Sequence, residues 1–112
     1  MPNDPLTFRV DTLPLGTQVY RITGPIVLNN LFELQGSLRA DASPFVILDL
    51  AQVPHIDSAG IGLLVNGHVS ASKNGRRFAL VALPQRIRLM LDATKVSTVL
   101  GIFENEQKAM EG

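Results

Sequence analysis

Ser58 stands between Asp57 and Ala59-Gly60-Ile61-Gly62, with His55 three residues upstream. A hydroxyl, a carboxylate and an imidazole this close suggest a nucleophile, an orienting acid and a base. Three neighbours in one loop do not supply that geometry, and the Gly-x-Ser-x-Gly elbow of the hydrolases is absent. His55 and His68 share no metal-ligand spacing with an acid. Gly60-Ile61-Gly62 lacks the third glycine and the ribose-binding acid of a dinucleotide site. The remaining chemistry belongs to a helix start. Free backbone N–H groups and the positive helix end favour an anion there. A phosphate on Ser58 would add about −1.5 to −2 charge beside Asp57. The plainer role for Asp57 or Ser58 is an N-cap, contributing about 1 kcal/mol. Small residues at Ala59, Gly60 and Gly62 leave room for another protein to approach.

The chain of 112 residues has the length of one domain, and its 46% hydrophobic content excludes a disordered chain. Ten basic and ten acidic side chains cancel, which argues against electrostatic capture of nucleic acid. The absence of cysteine excludes disulfides, thiolate nucleophiles and cysteine–metal sites. No apolar run is long enough to span a membrane and no signal peptide opens the chain, so a cytoplasmic protein is expected. Lys73, Arg76 and Arg77 flank one turn, with Arg86 and Arg88 beyond it. They form either a basic patch or, more simply, solvated surface.

The elements follow from periodicity. Residues 1–5 read as a loose lead-in before a domain over 6–112. Phe8, Val10 and Leu13 alternate with polar residues, Pro14-Leu15-Gly16 turns the chain, and Val19, Tyr20 and Ile22 form a second strand, predicting a hairpin. Asn29 or Asn30 is placed to cap a helix carrying Leu31, Leu34 and Leu38. Phe45–Leu50 is an apolar run interrupted by Asp49, the pattern of a strand buried on both faces. The following helix carries Ile61, Leu64, Val65 and Val69 at helical spacing and ends at Lys73-Asn74-Gly75. Its stripe serves the core, and its exposed edge, including Leu63 and Asn66, is left to contact a partner. Arg77–Leu83 predicts a strand, and Pro84 the first position of a helix with Ile87, Met90 and Leu91. Ile102-Phe103 predicts a last strand, and Glu104–Glu111 a short helix or tail. Strands alternating with helices imply parallel pairing after the opening hairpin.

The segment Ile47-Leu48-Asp49-Leu50, then Val53 and Ile56-Asp57-Ser58-Ala59-Gly60-Ile61-Gly62, resembles the STAS domain, the sulfate-transporter and anti-sigma-factor-antagonist module. The similarity runs on through Lys73-Asn74-Gly75, Phe78–Leu83, Pro84, Ile87, Leu91 and Val96. The length is similar to that of bacterial anti-sigma factor antagonists. The resemblance implies an α/β fold: one STAS-like domain, a mixed, mostly parallel sheet with an N-terminal hairpin, and about four helices packed against it. It implies a regulatory binding module rather than an enzyme, with no cofactor, metal or nucleic acid. In that family the serine after the aspartate is phosphorylated by a kinase that is also the anti-sigma factor; Ser58 holds that place. The unphosphorylated antagonist binds that partner and frees the sigma factor, and phosphorylation prevents binding. Asp57, Ser58, Ala59, Gly60, Gly62, Leu63 and Asn66 are the expected partner-binding residues, with Asp57 orienting the kinase site. Phosphorylatable relatives carry an acid in the loop after the second strand, where this chain has Val27 in Gly24-Pro25-Ile26-Val27. That departure favours an alternative, a non-phosphorylated scaffold or subunit of another signalling or transport complex. A further alternative is a nucleotide or small ligand held by the helix N-terminus.

Overall fold

The computed structural model describes residues 5–112; the expected lead-in lies, up to residue 4, outside the described residues. Strands β1 (Thr7–Leu13) and β2 (Thr17–Thr23) pair antiparallel across the 3-10 turn Pro14–Gly16. Helix α1 (Phe32–Ala40) leads to β3 (Phe45–Gln52), α2 (Ser58–Lys73) to β4 (Arg77–Val81), and α3 (Gln85–Ala93) to β5 (Gly101–Phe103). Helix α4 (Glu106–Glu111) closes the chain. The sheet order is β1-β2-β3-β4-β5, and every pair after the hairpin is parallel. This is the mixed, mostly parallel α/β sheet that the alternating pattern predicts.

Each crossover steps the same way along the sheet, so connections of one hand put α1, α2 and α3 on one face. That face holds the main core. Tyr20, Ile22, Val46, Leu48, Leu50 and Leu80 meet Leu34, Leu63, Leu64, Ile87 and Leu91. The opposite side chains of the same strands, Val19, Phe45, Ile47, Ala79 and Val81, pack around Ala109 of α4. The apolar run 45–50 therefore does serve two faces. Asp49 is accommodated because Arg21, on the same face of β2, donates to it at 3.0 Å.

Three local expectations are corrected. Neither Asn29 nor Asn30 caps α1: its N-cap is Leu31, with no side-chain cap. The Asn30 Oδ1 instead accepts from the Val27 N–H at 3.2 Å, closing a turn one residue earlier. β4 ends at Val81, because Ala82 adopts φ +59 and leaves the strand. Pro84 is the N-cap of α3 rather than its first helical residue. The stop after α2 is as read, with Gly75 at φ +67.

Candidate functional site

The site is assembled where two parallel strands end side by side. Beyond β2, Ile26 forms an isolated parallel bridge with Ile56, in the loop that leaves β3. The Ile26 N–H donates to the His55 carbonyl at 3.1 Å, and the Asp57 N–H to the Ile26 carbonyl at 3.3 Å. The turn at Val27–Asn30 is thereby held beside the start of α2. The loop containing Val27 and the loop containing Ser58 are neighbours in space.

Asp57 joins them. Its backbone is extended, as an N-cap requires. Its Oδ1 accepts from the Gly60 N–H at 2.9 Å, and its Oδ2 from the Leu28 N–H at 3.1 Å. Burial alone would push this carboxyl up. The N–H groups of Gly60, Leu28 and Ala59 outweigh it, and with His55 nearby they hold it below the usual carboxylate range. Asp57 is therefore an ionised cap fixed at both ends.

Ser58 is the first residue of α2 and is exposed. Among the described residues its hydroxyl has no hydrogen-bond partner. An unengaged hydroxyl at a helix start is open to a modifying enzyme. The anion site of the helix, in contrast, is already taken by the Asp57 carboxylate. A free nucleotide phosphate arriving there would meet a negative charge.

The structure separates the expected partner-binding residues. Asp57 and Ala59 are half-buried, and Asn66 is exposed. Gly62 has open space where a Cβ would stand. Gly60 is different: it is buried, and a Cβ there would lie 2.2 Å from the Ile26 carbonyl oxygen and 2.4 Å from Ile56 Cγ1. Its smallness serves the joining of the two loops, not the approach of a partner. Leu63 is only 4% exposed and belongs to the core, so the expectation that it faces outward is wrong. It points into the gap between α1, α2 and the sheet.

Two surface residues escaped the sequence reading. Leu28 is 56% exposed and Phe32 61% exposed. The Leu28 N–H is held by Asp57, so its backbone lies beside Ser58's loop. Their signal lay in the sequence as an i, i+4 apolar pair off the Leu31, Leu34, Leu38 stripe. The basic residues form no single patch. Arg76 donates to the Asp41 carbonyl, Arg77 lies over the Phe45 ring on the other face, and Arg88 pairs with Asp92. His55 is exposed in its loop and His68 half-buried on α2. Among the described residues no helix is long and apolar enough to cross a membrane.

Residues 12–109 match the family model of the STAS domain. A candidate anti-sigma factor antagonist of Thermotoga maritima is 33% identical over 66 residues, which cover 59% of this chain. The match spans 58% of that relative's own length. A crystal structure of a candidate anti-sigma factor antagonist from Thermotoga maritima superposes with a TM-score of 0.87 at 22% identity, over 93% of this chain and 92% of that one. A sulfate transporter family protein from Wolinella succinogenes gives 0.76 at 28% identity, over 88% and 85%. The Bacillus cell fate determinant SpoIIAA in its phosphorylated form gives 0.72 at 16%, over 94% and 97%.

Proposed function

This chain belongs to the STAS domain family, and on that premise we propose that it is an anti-sigma factor antagonist switched by phosphorylation of Ser58. Unphosphorylated, it binds a serine kinase that is also an anti-sigma factor and so releases a sigma factor. Phosphorylated, it lets go. The acting unit is the domain over residues 6–112, working in the cytoplasm as a binding module and not as an enzyme.

The observation that carries this reading is an exposed, unpartnered Ser58 hydroxyl at the head of α2. Asp57 positions it by holding both Gly60 and Leu28. Asp57, Ser58, Ala59, Gly62 and the exposed Leu28 and Phe32 form the contact surface in this reading. Apolar anchors beside a small, rigid helix end suit a closely packed interface. A phosphate introduced there would be desolvated beside the ionised Asp57. That arrangement expels a bound protein. The test is incubation with a serine kinase–anti-sigma factor and ATP, read by mass spectrometry, together with binding of the Ser58→Asp and Ser58→Ala variants. Phosphate is expected on Ser58. Ser58→Asp is expected to bind the anti-sigma factor at least tenfold more weakly, a change of about 1.4 kcal/mol. Ser58→Ala should bind and take up no phosphate. An unmodified Ser58, or Ser58→Asp binding as wild type, overturns the switch.

One observation favours a second reading. Val27 places an apolar side chain where the phosphorylatable relatives have an acid, and its turn lies beside Ser58. In that reading the domain is a constitutive scaffold subunit. Partner binding with no phosphate on Ser58 under any kinase treatment would select it. The nucleotide-site reading is opposed by the Asp57 carboxylate at the helix start; heat on titration with millimolar ATP would revive it.

A further inference from the structure

A cleft of about 200 Å³ opens between α1 and the C-terminal half of α2, over β3 and β4. We propose that this cleft binds a small organic anion with an apolar body, of the size of one aromatic ring and one acidic group. It is a second site on the molecule and does not depend on phosphorylation of Ser58. Asn66, on its rim, is eight residues along α2 from Ser58, about 12 Å at 1.5 Å per residue.

The floor is apolar, formed by Leu38, Val46, Leu63 and Phe78. An apolar cavity of about 150 Å³ accommodates benzene, so this volume takes a ring and leaves room for a charged group. The Phe78 ring lies directly against the α2 backbone at Gly67, where a Cβ would be 2.6 Å from its Cζ. The ring thus forms a fixed wall rather than a plug.

The rim selects charge. Arg39 is exposed and its guanidinium makes no hydrogen bond or ion pair among the described residues. Arg76 uses Nη1 on the Asp41 carbonyl at 3.0 Å and keeps the rest of its fork. Arg77 also borders the cleft, but its guanidinium is committed to the Phe45 ring at 4.0 Å and to the Ala109 carbonyl. The single rim acid, Asp41, already accepts from the Tyr20 hydroxyl at 2.6 Å and the Ser43 N–H at 2.9 Å. The rim therefore carries the guanidinium groups of Arg39, which is unpaired, and Arg76, which also feels the Asp41 charge, against one carboxylate. Guanidinium forks fit carboxylates and phosphates alike, and they favour an anion over a neutral or cationic ligand of equal shape.

Titration of the whole chain with benzoate, phenyl phosphate, benzyl alcohol and benzylamine, followed by amide chemical shifts, tests this. An anion is expected to shift the amides of Leu38, Leu63 and Phe78, with the tighter of the two identifying the preferred head group. The alcohol and amine should bind at least tenfold more weakly. Arg39→Gln, on an exposed side chain, should weaken the anion several-fold with no change in melting temperature. Ser70→Phe, at the mouth, should abolish binding. The proposal fails if neither anion shifts the cleft amides at millimolar concentration, or if the alcohol binds as well as the anions. It also fails if Arg39→Gln binds as wild type.

Discussion

Asp57 uses one carboxylate for two structural tasks, and its substitution separates them from the chemistry of Ser58. Asp57→Ala removes the cap on Gly60 and the hold on Leu28. Urea unfolding should show a loss of about 1–2 kcal/mol. The folded carboxyl is held below its ordinary value of 3.8. Its contribution is therefore complete above pH 3.8 and lost as pH falls through the lower folded value. The stability gap between wild type and Asp57→Ala should narrow across that acid range and stay constant at neutral pH. The two glycines beside it should behave oppositely. Gly60→Ala drives a Cβ into the Ile26 carbonyl and should cost about 1–3 kcal/mol. Gly62→Ala meets open space and should stabilise the free helix by up to about 1 kcal/mol. If a partner packs on that face, the same Gly62→Ala weakens its binding while raising the melting temperature. Sequence alone treats these glycines as equivalent small residues; only the position of the Ile26 carbonyl distinguishes them.

At the scale of elements, α4 shows how a six-residue helix too short to persist alone is held. Asn105 caps it through the Lys108 N–H at 2.9 Å. Arg21 on β2 donates to Glu106 at 2.6 Å while also pairing with Asp11 at 2.6 Å and Asp49 at 3.0 Å. Ala109 is fully buried against the sheet. Arg21→Met removes the cation and leaves three half-buried carboxylates facing one another. Amide hydrogen exchange should then show early loss of protection in residues 106–111, with α2 unaffected. Retained protection there would mean that Ala109 packing alone holds the helix. The opposite face has a comparable tie. Tyr20 reaches across to Asp41 at the end of α1, and burial together with that carboxylate pushes its hydroxyl up to about 12. The sequence pattern shows Tyr20 and Arg21 only as alternating strand residues. Their partners are 21 and 85 positions away for Asp41 and Glu106, beyond the reach of periodicity.

At the scale of the whole molecule, one sheet separates two cores of unequal depth. The face covered by α1, α2 and α3 carries most of the large, fully buried side chains, so Leu48→Ala should cost about 2–5 kcal/mol in urea unfolding. On the α4 face Ile47 is also fully buried, and Ile47→Val, which removes a single methyl group, should cost about 0.5–1.5 kcal/mol. The order of strands and helices, the hairpin, the parallel pairing, the stop at Gly75 and the Asp57-Ser58 helix start were all legible, because each rests on local periodicity or turn chemistry. The STAS resemblance was legible for the same reason: its motif lies within one strand, loop and helix. Asn30 has two local uses, a cap for α1 or the turn at Val27, and local pattern does not distinguish them; its Oδ1 serves the turn. Leu63 is buried because the face of α2 turned to the core runs through Gly60, Leu63 and Leu64, with Gly67 against Phe78, whereas Val69 of the expected apolar stripe is 40% exposed. By itself, then, the sequence determined which residues form each element and that Ser58 heads a helix after an acid. The tertiary structure decided which neighbours that helix meets. It placed Val27's turn against Asp57, turned Gly60 and Leu63 inward, and opened a cleft between α1 and α2. Those outcomes depend on contacts between segments far apart in the chain, which local patterns do not encode.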